Sequence, residues 1–172
     1  MKQSKFPIYL SGERIFSNSQ KAVSLQETKK LGELKEGKVI YSPFEALYLV
    51  EKREAMFVSL KKSKQLTENE LISLLSKKDK NFNTKYIIFK HLKNKGYIVK
   101  TGLKFGEEFR VYKKSEKHAR WIVFPINSNE KIQAKELISK SRITHSTGKK
   151  LLLAIVDNEE DITFYEIDWV KP

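Results

Sequence analysis

The sequence predicts a mixed α/β (α+β) fold in two domains, residues 1–82 and 83–172. Three observations predict it. Short β-branched and aromatic runs alternate with amphipathic helical segments along the whole chain. Two tetrapeptides, Ser42-Pro43-Phe44-Glu45 and Thr67-Glu68-Asn69-Glu70, place a hydroxyl three residues before a carboxylate, the pattern that starts helices. A polar stretch from Lys77 to Asn83 then interrupts the apolar patterning and marks the boundary.

In the first domain, Ile8-Tyr9-Leu10 and Arg14-Ile15-Phe16 flank Ser11-Gly12 and read as a hairpin. Val39 to Tyr41 is a brief strand. Ser42 then caps a helix with Pro43 in its first position, and Phe44, Leu47 and Tyr48 share one face. Thr67 opens a second helix with Leu71, Leu74 and Leu75 inward. The lysine clusters at 61–64 and 77–80 flank it and read as solvated surface.

In the second domain, residues 84–95 form a helix with Ile88, Phe89 and Leu92 apolar and Gly96 at its C-terminal cap. Strands are expected at 97–101, 108–112 and 121–124, with Trp121 in the core. A helix over 133–140 follows, then strands at 151–156 and 162–167 joined by the acidic turn Asp157–Asp161. Neighbouring strands joined by short turns make the sheet mainly antiparallel. The last strand combines β-branched and aromatic residues at a sheet end, and such an edge invites pairing with another chain.

Composition narrows the function. Lys and Arg number 34 against 21 Asp and Glu, a net charge of +13 spread over both halves. That balance points to a polyanionic partner, with nucleic acid favoured over a membrane. There are no cysteines, so disulfides and thiolate metal sites are excluded. The three histidines, His91, His118 and His145, lack zinc-helix spacing, so neither a metal nor a cofactor is expected. Apolar runs are too short for a membrane span, and no signal peptide is read, so the expected location is cytoplasmic.

Tyr112, His118 and Lys149 carry the chemistry. A phenol, an imidazole and an ammonium supply a proton acceptor, a proton donor and a fixed positive charge, sufficient for phosphodiester transfer without a metal. An imidazole titrates near neutrality and suits the acid. A free phenol has a pKa of about 10, so Tyr112 either gains from a nearby cation such as Lys149 or mainly positions the attacking hydroxyl. Strand alternation puts Tyr112 on the face of Glu108 and Arg110, the wetter side. Lys150 adjoins Lys149 and points the other way if the strand has begun.

The segments from Tyr86 to Tyr112 and from Lys149 to Asp157, with the closing Trp169 to Pro172, strongly resemble archaeal tRNA splicing endonucleases. In the first half Ser42 to Leu49 is the best match. The resemblance implies a small α/β N-terminal domain followed by an α/β nuclease domain with a mainly antiparallel mixed sheet. It implies excision of introns from precursor tRNA at bulge–helix–bulge elements, leaving 2′,3′-cyclic phosphate and 5′-hydroxyl ends. Tyr112 would be the general base on the 2′-hydroxyl, His118 the acid on the departing 5′-oxygen, and Lys149 the stabiliser of the charged phosphorane. Arg142 matches an arginine that stacks on a flipped bulge base, and Trp169 is a chemically suitable second stacking residue.

The chain departs from the family at two places. Gly148 stands where an arginine often precedes the catalytic lysine. The loop 125–131, often acidic in self-assembling members, carries one glutamate and one lysine. The expected partner is therefore a second, non-identical subunit in a heterotetramer, two of each, and otherwise a homotetramer. Competing readings are a non-catalytic RNA-binding or structural subunit, disfavoured by the complete triad, and a DNA endonuclease, disfavoured because such enzymes use acidic metal ligands.

Overall fold

Reciprocal caps start two helices of the first half in the computed structural model, which describes residues 4–101 and 109–170. Ser42 Oγ accepts from the Glu45 amide at 3.2 Å, and Glu45 Oε2 accepts from the Ser42 amide at 2.9 Å, opening α2 (Pro43–Glu51). Thr67 and Glu70 repeat this at the start of α3 (Glu68–Ser76). The Glu70 carboxyl is held down at about 2 by hydrogen bonds from the Lys64 ammonium and the Thr67 amide. A depressed folded-state value contributes stability above the ordinary carboxylate range and loses it as pH falls toward 2, so this cap persists well into acid.

Glu45 also accepts from the Gly32 amide at 2.9 Å with its other oxygen and is only 4% exposed. Replacing it with alanine strips a buried amide of this acceptor as well as the cap. Urea unfolding of Glu45→Ala is expected to show a loss of about 3 kcal/mol.

The chain divides into two units, Met1–Phe82 and Asn83–Pro172. The first holds strands β1 (Phe6–Ser11), β2 (Arg14–Ser17), β3 (Glu33–Lys35), β4 (Lys38–Ile40), β5 (Ala55–Ser59) and β6 (Lys64–Leu66), in the order β3-β4-β2-β1-β5-β6. Only β1 and β5 run parallel. The sequence reading omitted β3, β5 and β6, and also the first helix, α1 (Gln20–Lys29). That helix buries only Ala22 and Leu25, an apolar stripe too thin to register as helical periodicity, and its start rests on Ser19 accepting from the Lys21 amide.

The second unit begins with α4 (Phe82–Asn94) and holds β7 (Ile98–Thr101), β8 (Phe109–Tyr112), β9 (Trp121–Asn127), α5 (Ala134–Ser146), β10 (Lys150–Val156) and β11 (Ile162–Ile167). Glu108, the first residue of the expected strand, lies outside the described residues. The strand order is β11-β10-β9-β8-β7, antiparallel except that β9 and β10 run parallel, joined by α5 as a crossover. No described helix is long and apolar enough to cross a membrane.

Helices cover both faces of this sheet. On one face Phe89 of α4 meets Phe109 at 5.9 Å and His91 meets Phe164 at 5.5 Å. On the other, Leu137 of α5 packs against Phe124, Ile126, Leu151 and Leu153, with the Lys140 ammonium 3.7 Å from the Phe124 ring centre. Double coverage explains why β10 reads Leu-Leu-Leu-Ala-Ile-Val with no polar alternation.

Two elements run longer than the sequence suggests. Strand β9 continues through Pro125 to Asn127, paired along that length with Ala154 to Val156 of β10. Helix α5 continues past Lys140 to Ser146, since Ser141 and Thr144 are buried and Thr144 Oγ1 satisfies itself on the Ser141 carbonyl at 2.9 Å.

Candidate active site

The row Val111–Trp121–Lys150 crosses β8, β9 and β10 in register. Backbone bonds continue it at the sheet end: the Arg120 amide donates to the Val111 carbonyl at 2.9 Å, and the Lys150 amide donates to the Arg120 carbonyl at 3.1 Å. Tyr112 follows Val111 at the C-terminal end of β8, and Lys149 precedes Lys150 at the N-terminal end of β10. His118 lies in the connection between β8 and β9. All three therefore stand at one end of the sheet, with β8 and β10 separated by two strand spacings, roughly 10 Å. One chain reversal, β8 to β9, and one crossover, β9 to β10, achieve this, bringing residues 37 positions apart in sequence to the same sheet end.

Each side chain has its own setting. Tyr112 is half-buried and, paired with Ile98, shares its face with Arg110. That face is only partly wet, because Arg110 is itself half-buried and its Nε has no partner. His118 is exposed and lines a cavity of about 360 Å³ with Arg120, Gly148 and Lys150. Lys149 is positioned by the end of α5: the Gly148 amide donates to the His145 carbonyl at 3.0 Å and the Lys149 amide to the Thr144 carbonyl at 2.9 Å. This is the glycine-ended helix stop, with Gly148 at φ 66° in the left-handed region. An arginine in that conformation would be strained, so glycine at 148 has a backbone reason.

The two adjacent lysines part company. Lys150 is held by Glu166 at 2.6 Å with Asp168 at 3.9 Å. The hydrogen bond from Lys150, followed by one from the Trp121 indole, lowers the Glu166 carboxyl below its ordinary value, and the same carboxylate raises Lys150. Lys149 has no carboxylate partner among the described residues; its Nζ donates to the Thr147 carbonyl at 3.0 Å. It also sits beyond the C-terminus of α5, where the helix dipole favours a cation. Of the two ammonium groups, Lys149 is thus the one without a carboxylate partner among the described residues.

Trp121 is not the core residue the sequence suggested. It is half-buried at the start of β9, its indole donates to Glu166 at 2.7 Å, and Tyr97 meets it edge-on at 5.7 Å. Arg142 is exposed on α5. Trp169 is 47% exposed and lies 5.1 Å from the His145 ring, one helical turn from Arg142. His145, whose Nδ1 is 3.9 Å from Asp168, was not assigned a site role from sequence. Among the described residues no three His, Asp or Glu side chains gather where they could hold a metal ion. A larger cavity, about 740 Å³, lies within the first unit over Leu10, Ile15, Leu66 and Leu75. Its lining offers no tyrosine or histidine for proton transfer.

Residues 82–164 match the model of the tRNA intron endonuclease catalytic C-terminal domain. The chain is 38% identical over 164 residues to a tRNA-splicing endonuclease of Pyrococcus abyssi, covering 95% of both chains. It is 38% identical over 145 residues to that of Methanothermobacter thermautotrophicus, covering 82% of this chain and 83% of the other. With that of Methanococcus vannielii it shares 35% over 168 residues, covering 96% and 94%. Full-length similarity at this level, over a sheet that gathers Tyr112, His118 and Lys149 at one end, makes the chain an enzyme of the tRNA-splicing endonuclease family.

Proposed function

We propose that this protein excises introns from precursor tRNA at bulge–helix–bulge elements, by metal-independent transfer of the scissile phosphate to the neighbouring 2′-hydroxyl. Tyr112 receives the 2′-hydroxyl and, as its phenolate, takes the proton to become the neutral phenol. The 2′-oxygen bonds to phosphorus as the bond to the 5′-oxygen breaks, and His118 delivers a proton to that departing oxygen. Lys149 offsets the charge that builds on the non-bridging oxygens. The products are a 2′,3′-cyclic phosphate and a 5′-hydroxyl. What carries the reading is the placement of the three residues, from separate segments, at one end of the sheet.

The test is incubation of a bulge–helix–bulge RNA in EDTA, beside a copy with a single 2′-deoxynucleotide at the cut. Cleavage of the first with cyclic phosphate ends, and none of the second, is expected. Loss of cleavage in EDTA, or cutting at the deoxynucleotide, would overturn the mechanism.

Arg142 and Trp169 are proposed to stack on bases of the bulge, since both are exposed at the α5 end of the unit. Arg142→Ala is expected to weaken binding of bulged RNA about tenfold, the scale of one stacked base, and to leave a fully paired duplex unaffected. Equilibrium binding of the two RNAs checks it.

The expected non-identical subunit rested on the weak charge of residues 127–131. The alternative, a homotetramer, is the assembly we propose, on two features of the second unit. The β10–β11 hairpin presents Asp157, Glu159, Glu160 and Asp161, all exposed, so the chain carries its own acidic tip despite its basic total. Strand β11 is also an edge strand with Tyr165 54% exposed, a surface suited to pairing between copies. Light scattering of the purified chain is expected to give a homotetramer that cuts both splice sites. A monomer activated only by a second protein would restore the heterotetramer.

A further inference from the structure

Arg120 stands inside the candidate site, and the acid–base set does not use its side chain. Its backbone is fixed on both sides, by the bonds to Val111 and Lys150. Its guanidinium carbon lies 5.0 Å from the centre of the Trp121 ring. The nearest carboxylate oxygen, on Glu116, is 3.7 Å away, too far for a hydrogen bond. Among the described residues the guanidinium donates no hydrogen bond, and its side chain is 42% exposed. Lys150, in the same cavity wall, is committed to Glu166. Arg120 therefore brings a planar set of five donors, backed by an indole and tethered by a distant carboxylate, to the cavity that also receives His118.

We propose that Arg120 binds a phosphate of the RNA on the 3′ side of the cut, the phosphate that follows the departing nucleotide. The assignment rests on the reading of His118 as proton donor to the 5′-oxygen: that oxygen belongs to the departing nucleotide, so the next phosphate along the strand enters on the His118 side. A guanidinium stacked on an aromatic ring keeps its donor edge outward and grips two phosphate oxygens at once, which a lysine does not. Arg120 is thus a substrate-binding residue that sets where the strand lies relative to His118.

The test pairs enzyme variants with altered RNA in single-turnover cleavage. Wild type, Arg120→Ala and Arg120→Lys are compared on a bulge–helix–bulge RNA and on one whose phosphate after the departing nucleotide is a neutral methylphosphonate. A third RNA carries the same change in a distant stem. For Arg120→Ala the half-saturating concentration is expected to rise about tenfold, as for loss of a charged hydrogen-bonded pair, with a much smaller fall in the maximal rate. Arg120→Lys recovers only part of the loss. The methylphosphonate weakens binding by wild type to a similar extent and adds little to the loss in Arg120→Ala. Independent, multiplying losses would overturn the proposal, as would equal sensitivity to the distant methylphosphonate. The methylphosphonate arm on wild type needs no folded variant. Failure of the underlying mechanism shows separately, as products lacking cyclic phosphate ends.

Discussion

His118→Ala is expected to lower the maximal cleavage rate by about 10² to 10⁴, the range typical of a lost general acid, while RNA affinity stays near wild type. The side chain is exposed and lies in a connection rather than in the sheet, so folding does not depend on it. Its ring lines a cavity rather than packing in a core, as the proposed role requires. A sharper measurement uses RNA whose bridging 5′-oxygen at the cut is replaced by sulfur. A thiolate leaves without protonation, so His118→Ala should cleave this RNA nearly as fast as wild type does. If the variant loses less than about fivefold on ordinary RNA, the proton donor is another group, and His145 becomes the next histidine to test.

Lys149→Ala is expected to lower the maximal rate by about 10² to 10³, comparable with removal of one preorganised donor from a developing oxyanion. Its neighbour provides the control. Lys150→Ala breaks the pair with Glu166 but removes no unpaired cation, so its effect on rate should be under about tenfold. Thermal unfolding separates the two further. Loss of Lys150 loosens the tie among β9, β10 and β11 that Glu166 makes through Trp121 and Lys150, whereas Lys149 bonds only to the nearby Thr147 carbonyl. Equal rate losses in the two variants would mean that the adjacent lysines share the role and that the ion pair does not discriminate between them.

The elements that sequence revealed were those with a strong local signature. Ser42 and Glu45, or Thr67 and Glu70, make their caps within four residues, so their spacing alone places a helix start. Gly96 was legible for the same reason: its amide bonds the Lys93 carbonyl, and the next amide bonds Leu92. What escaped depends on distant partners. Strand β5 is five residues whose identity as a strand comes from lying parallel to β1, some 50 positions earlier. Extension of β9 through Pro125 could be read only by knowing that β10 lies parallel beside it. Within the candidate site, the residue types were visible but their neighbours were not. Nothing in a Lys-Lys pair says that one ammonium is taken by a glutamate 16 residues on. Nor does a tryptophan between Arg120 and Ile122 announce that its indole is tied to that same glutamate.

The crossover between β9 and β10 also dictates the order in which the machinery can come together. Tyr112 and His118 belong to one local reversal, β8 to β9, and reach the same sheet end as soon as a few neighbouring residues pair. Lys149 arrives only after α5 has packed back across the sheet, because a parallel partner cannot be reached by a tight turn. Lys150 then stays unpaired until β11 brings Glu166 alongside. Contacts of long sequence separation carry the larger loop-closure cost, so a chain paired only through β8 and β9 holds the proposed proton-transfer residues without the proposed charge stabiliser. On the proposed mechanism such a chain does not cut. On that mechanism the same topology that unites three scattered segments keeps cutting silent until β10 has joined the sheet.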